Sequence, residues 1–182
     1  HHGATGVDEL AQTVEPGDSH VPLLTVAARN LYNEAHTLER LRVRNNTQGT
    51  GDPGQAALDK VTGTVRLHHD GNANGLFDGP TIDPMLVSTT WDAGQATFEG
   101  VNWTLESDQL TTLFITASVS ITGAADGDRL GARIGTADDL RFDTDVAVVA
   151  AWPLDSNAAH VVSGLYRVAG GVRNVCTQSA VV

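Results

Sequence analysis

The sequence predicts an all-β protein: an antiparallel β-sandwich, immunoglobulin-like or jelly-roll-like, with little helix. Three observations point there. From Leu113 to Ile121 the apolar residues fall on Leu113, Ile115, Ala117, Val119 and Ile121, with Thr116, Ser118 and Ser120 between them. That period of two puts one face in a core and the other in water. Short runs of similar character recur along the chain, separated by clusters of Gly, Asn and Asp that punctuate strands. Only residues 27–41 could be read as helix, and as a short one. Many short strands with turn signals between them define a sandwich rather than a helical or mixed fold.

Taken in order, residues 1–20 are polar with scattered apolar positions, Val7, Leu10 and Val14, and a turn at Glu15-Pro16-Gly17-Asp18. This zone reads as an N-terminal extension. Strands are expected at residues 21–28, 38–44, 61–69, 85–90, 96–101, 103–105, 113–121, 130–134 and 146–152. Turn clusters at 48–54, 71–80, 92–94, 107–108 and 123–128 separate them. Phe98, Trp103 and Phe114 are expected in the core. Residues 21–154 thus form the sandwich, and residues 155–182 form a weakly patterned C-terminal segment with Gly170-Gly171 as a hinge.

Length and charge narrow the function. A chain of 182 residues suits one domain and can bury a core without disulfide or metal. The longest run free of charged and polar residues, 146–154, is far short of the roughly 20 needed for a membrane helix. Net charge is −11, which argues against a nucleic-acid partner, permits a cation binder and favours a soluble, self-repelling surface. Sixteen of the 22 acids are aspartate, a compact oxygen ligand that also favours turns. Cys176 is the only cysteine, so there is no intrachain disulfide. The sequence begins at His1 with no methionine, as expected of a secreted chain after signal-peptide removal or of a trimmed tag.

One motif is sharp. Residues 70–83 read DGNANGLFDGPTID. Asp70, Asn72 and Asn74 stand at every second position, then Gly75, then Asp78, then Asp83. Oxygen side chains at positions 1, 3 and 5, glycine at 6 and an acid at 9 match the first part of a calcium loop, with Leu76 supplying the main-chain carbonyl. Position 12, a bidentate glutamate in an EF-hand, is Thr81, and the flanks read as strands. The expectation is therefore a calcium loop joining two strands, with Asp70, Asn72, Asn74, Leu76, Asp78 and Asp83 as ligands. The same residue types also build turns that hold no metal. The pairs Asp126/Asp128, Asp138/Asp139 and Asp143/Asp145 are expected to be solvated turns before they are a second site.

The stretch from Val61 to Asp128 resembles a module of secreted bacterial and archaeal surface proteins. In it a strand leads into D-x-N-x-N-G-x-x-D. A pattern like F-x-G-V-x-W-x-L follows, here Phe98, Gly100, Val101, Trp103 and Leu105, and then a long alternating strand and a G-D turn. The resemblance implies a β-sandwich used in stalks, adhesin units and self-assembling subunits.

Catalysis has no constellation here: there is no G-x-S-x-G and no H-E-x-x-H. His68 and His69 are adjacent in a strand and point to opposite faces, so they cannot share a metal on one face; an edge strand is expected for them. His1 could hold copper with His20, His36, His68, His69 or His160, or belong to a flexible terminus. The expected function is an extracellular, calcium-binding structural subunit. It would assemble with copies of itself into a filament or surface layer by strand exchange, with Val7, Leu10 and Val14 as the inserted side chains and the segment 175–182 as a second donor. A passive module of a larger secreted adhesin or polysaccharide-active enzyme is the alternative, and a copper protein using His1 the third.

Overall fold

The structure, a computed structural model, describes residues 2–7, 12–51, 53–156 and 160–163. Along the chain the strands are β1 (His2–Val7), β2 (Thr13–Val14), β3 (Val21–Asn30) and β4 (His36–Asn45). A one-turn helix, α1 (Gln55–Leu58), precedes β5 (Thr62–His69), β6 (Met85–Thr89), β7 (Gln95–Leu105) and β8 (Leu110–Val119). Short strands follow: β9 (Arg129–Leu130), β10 (Ala132–Ile134), β11 (Leu140–Phe142), β12 (Val148–Ala150), β13 (Leu154–Asp155) and β14 (His160–Val162).

The strands make a sandwich-like stack of sheets. One sheet runs β12-β1-β3-β8-β5-β6. In the second, β4 pairs with β7 along one edge and with β11 and β10 along the other, and β13 lies beyond β10. A small third sheet joins β2, β14 and β9. Pairing is antiparallel except for β1 with β12 and β2 with β14, which are parallel.

The alternating residues do what their period dictates. Val26, Val65, Leu67 and Ile115 of the first sheet join Leu38, Leu41, Val43 and Phe98 of the second in one apolar core, each no more than 2% exposed. Trp103 packs at its margin.

Several expectations need correction. Residues 27–41 are not helix but the end of β3, a turn and the start of β4. Asn30 is fully buried and holds that turn: its Nδ2 donates to the carbonyls of Glu34 and Leu105 at 2.8 and 2.9 Å, and its Oδ1 accepts from Tyr32 N. Residues 1–20 are not merely an extension, because β1 lies between β3 and β12 of its own chain and Val14 is 4% exposed in its own core. The sandwich also continues past residue 154, since β13 and β14 pair with β10, β2 and β9. β5 is interior, so His68 is no edge residue. The strand expected at 113–121 ends at Val119, and Ile121 is exposed.

β8 departs from its expected pattern in one instructive way. Its second face is not wet: Phe114 and Thr116 are fully buried, although they point away from the face carrying Leu113, Ile115 and Ala117. Phe114 is covered by the segment between β5 and β6, through Phe77.

Candidate metal centre

Residues 70–84 connect β5 to β6, two antiparallel neighbours. The loop is tied down where it leaves the sheet: Asp70 N donates to Thr112 O at 2.9 Å and His69 N to Pro84 O at 3.3 Å. Its base is sealed by Asp83, whose carboxylate is fully buried. Oδ1 accepts Gly71 N at 3.0 Å and Oδ2 accepts Asp78 N at 2.6 Å. A buried carboxylate is tolerated only when so bonded, and charge-assisted bonds of this kind are the strong ones. Gly71 is obligatory at this closure, because a Cβ there would lie 2.1 Å from Ile82 O.

Above that base, four side chains converge. Asp70 accepts Asn74 N through Oδ1 at 3.3 Å and Gly75 N through Oδ2 at 2.7 Å. Asn72 Oδ1 accepts Asn74 N at 3.3 Å, and Asn74 Oδ1 accepts Leu76 N at 2.7 Å. Asn72 Nδ2 and Asn74 Nδ2 both donate to Asp78 Oδ2, at 2.9 and 2.6 Å. These bonds curl the backbone tightly, with Ala73 and Gly75 at φ of 58° and 77°. Side chains at loop positions 1, 3, 5 and 9 thus gather on one side of the loop.

The residue types, two carboxylates and two amides in one exposed turn, are those a hard dication takes, although here both amide oxygens accept backbone N–H groups and both amide nitrogens face Asp78. Asp70, Asn72, Asn74 and Asp78 are brought together as the spacing predicts. Leu76 follows Gly75 with its side chain exposed. Asp83 stands apart from the four. Both its oxygens hold backbone N–H groups beneath the loop, which makes it a brace. Asp128 and Asp139 repeat the device: Asp128 accepts Thr50 N and Ala125 N, and Asp139 accepts Gly135 N and Thr136 N. Those two aspartates are therefore turn-closing groups, and among the described residues no three His, Cys, Asp or Glu side chains gather for a metal.

The underside of the loop is aromatic. Phe77 turns down onto the outer face of the six-stranded sheet. Its ring centre lies 5.6 Å from that of Phe114, 4.9 Å from His68 and 6.5 Å from His20. His68 is fully buried, sits opposite Phe114 across the β5–β8 pairing, and its Nδ1 is 2.9 Å from Asp83 O. Burial, and then the Arg66 charge, hold the His20 imidazole below its ordinary pKa. Burial likewise lowers His68, with His20 and Arg66 adding to the effect. Sequence reasoning named His20 and His68 only as copper partners for His1 and missed Phe77. Its one signal was an aromatic residue in an otherwise polar loop.

The remaining candidates scatter. Val7 lies in β1 opposite Thr25, and Val14 is buried in its own chain. Leu10, His1, Cys176 and residues 175–182 lie outside the described residues. His36 is buried beside Thr144 Oγ1, 3.0 Å away, and His160 is buried near β9 and β2; neither adjoins the loop's histidines.

Comparison with known proteins supplies a fold and no more. No family model matches the chain, and no curated protein matches it. Among solved structures it is similar to one titled "Hadza microbial sialidase Hz136", with a TM-score of 0.52 and 12% identity over 81% of this chain. The chain spans 30% of that protein's length. At this identity the likeness is one of architecture, and the class it defines is that of a β-sandwich fold.

Proposed function

We propose that this chain is a calcium-braced, non-catalytic β-sandwich module of an extracellular surface protein. The observation that carries the reading is the convergence of Asp70, Asn72, Asn74 and Asp78 above a base closed by Asp83. Two carboxylates pressed into one turn repel each other, and a dication relieves that repulsion while pinning the loop. The pinned loop presses Phe77 onto Phe114, so metal binding is coupled to burial of the sheet's outer face. A site of this charge suits the millimolar calcium outside cells. Thermal unfolding in 2 mM calcium and in excess chelator tests the reading. A stabilisation of about 1–3 kcal/mol, a rise of several degrees, is expected with the metal; identical midpoints would refute it.

One observation favours a second reading, self-assembly by strand exchange. β1 fills an interior slot of the six-stranded sheet, between β3 and β12. A strand so placed can be given to a neighbouring copy with every ladder bond preserved, and head-to-tail donation that does not close makes a filament. Thr5 and Ala27 are register partners. With Cys176→Ser, cysteines at both positions would oxidise to a ladder of covalent multimers if β1 is exchanged. Only internally crosslinked monomer would refute the exchange.

A further inference from the structure

Beneath the loop, two imidazoles carry nitrogens with nothing to bond. His68 Nε2 and His20 Nδ1 are both buried and lack a hydrogen-bond partner among the described residues. An orphaned buried polar atom costs on the order of 1–3 kcal/mol, so a pair of them asks what they hold. The rings are 5.5 Å apart centre to centre. Bonds of about 2.0–2.1 Å from one ion to both rings are compatible with such a separation.

Three further features specify the ion. His68 uses Nδ1 on the carbonyl of Asp83, 2.9 Å away, which leaves its Nε2 as a bare lone pair. A second-shell bond to a backbone carbonyl is how metal-ligating histidines are oriented. Met85, the one methionine of the chain, is the register partner of His68 on β6. Finally, His20 sits in the left-handed region at φ 57°, a conformation uncommon for a side chain with a Cβ and one that clusters at functional sites.

We propose that His20 Nδ1, His68 Nε2 and the Met85 thioether bind one soft monovalent ion of the copper(I) class. Imidazole and thioether together select such an ion over calcium or magnesium. No third His, Cys, Asp or Glu joins them among the described residues, which removes the tetrahedral set that zinc prefers. Charge points the same way. The Arg66 guanidinium, held by Thr64 O and Ser118 Oγ, acts electrostatically on both imidazoles. A single positive charge is tolerated beside it far better than two. From the loop side the Phe77 ring stacks on His20 and meets His68 edge to face, and an aromatic ring beside the two imidazoles favours a cation. This site shares no side-chain donor with the calcium loop and does not rest on that reading.

Anaerobic titration with copper(I) against a chromogenic competitor tests the proposal. Cys176→Ser is the background, so that the thiol does not compete. One equivalent is expected to bind, with X-ray absorption showing sulfur at about 2.3 Å beside nitrogen ligands. His20→Asn keeps a residue suited to the left-handed backbone and should weaken that equivalent at least tenfold. Met85→Leu, at a half-exposed position on the edge strand, should remove the sulfur signal without altering the melting temperature of the metal-free protein. Absence of binding, or equal affinity in wild type and His20→Asn, overturns the site; sulfur scattering that survives Met85→Leu overturns the part given to Met85.

Discussion

The six-stranded sheet has two faces, and they are sealed in different ways. On one, Val26, Val65, Leu67 and Ile115 meet the side chains of the second sheet, apolar against apolar. On the other, Phe114 and His68 are equally buried, but their cover is a polar loop that sends down one aromatic ring, Phe77. The first seal depends on area alone. The second rests on a short turn that carries carboxylates. If that turn holds calcium as proposed, stability on the loop side is conditional on ions and protons, and on the core side it is not.

Substitutions can break that contrast. The largest effect belongs to the unconditional side: Phe98→Ala should cost about 3–5 kcal/mol in urea unfolding, the same with calcium or with chelator. Asp83→Asn comes next. It leaves Gly71 N and Asp78 N short of their acceptor and should cost about 2–3 kcal/mol in chelator, and more than that in calcium because the calcium response is lost with it. Phe77→Ala should cost about 1–3 kcal/mol and raise hydrogen exchange along β8 around Phe114, while the core amides of β4 keep their protection. A smaller effect comes from acid. His20 and His68 are held below their ordinary pKa in the fold, and the unfolded chain takes up protons near pH 6.5. Stability is full above about pH 6.5 and falls as the pH drops from there toward the lowered native values. His20→Asn should make that acid limb shallower in a series of melts; an unchanged limb would show that His20 carries none of it.

Much of this was legible in the sequence. The strands announced themselves by alternation, and Asp70, Asn72, Asn74 and Asp78 by their spacing around Gly75. The misreadings share a cause. Residues 27–41 suggest helix because nothing local shows that Asn30 will reach Leu105, 75 positions away, to fix a turn. β1 carries little apolar signal, and its place is set by the ladders of β3 and β12. Phe114 and Phe77 look like a core residue and a loop residue. Only the closed loop brings their rings to 5.6 Å and turns a face expected to be wet into a buried one. Asp83 could be read as a ligand because a carboxylate near a calcium motif and a carboxylate sealing a turn are written with the same letter.

The central claim is that the oxygens of the turn hold a dication. Isothermal titration of calcium into the intact protein, beside a variant carrying Asp70→Asn and Asp78→Asn, tests it most directly. The account predicts one saturable site of about 10⁻⁵–10⁻³ M in the first and none in the second. Absence of heat in the intact protein at millimolar calcium, or an equal isotherm in the variant, would contradict it.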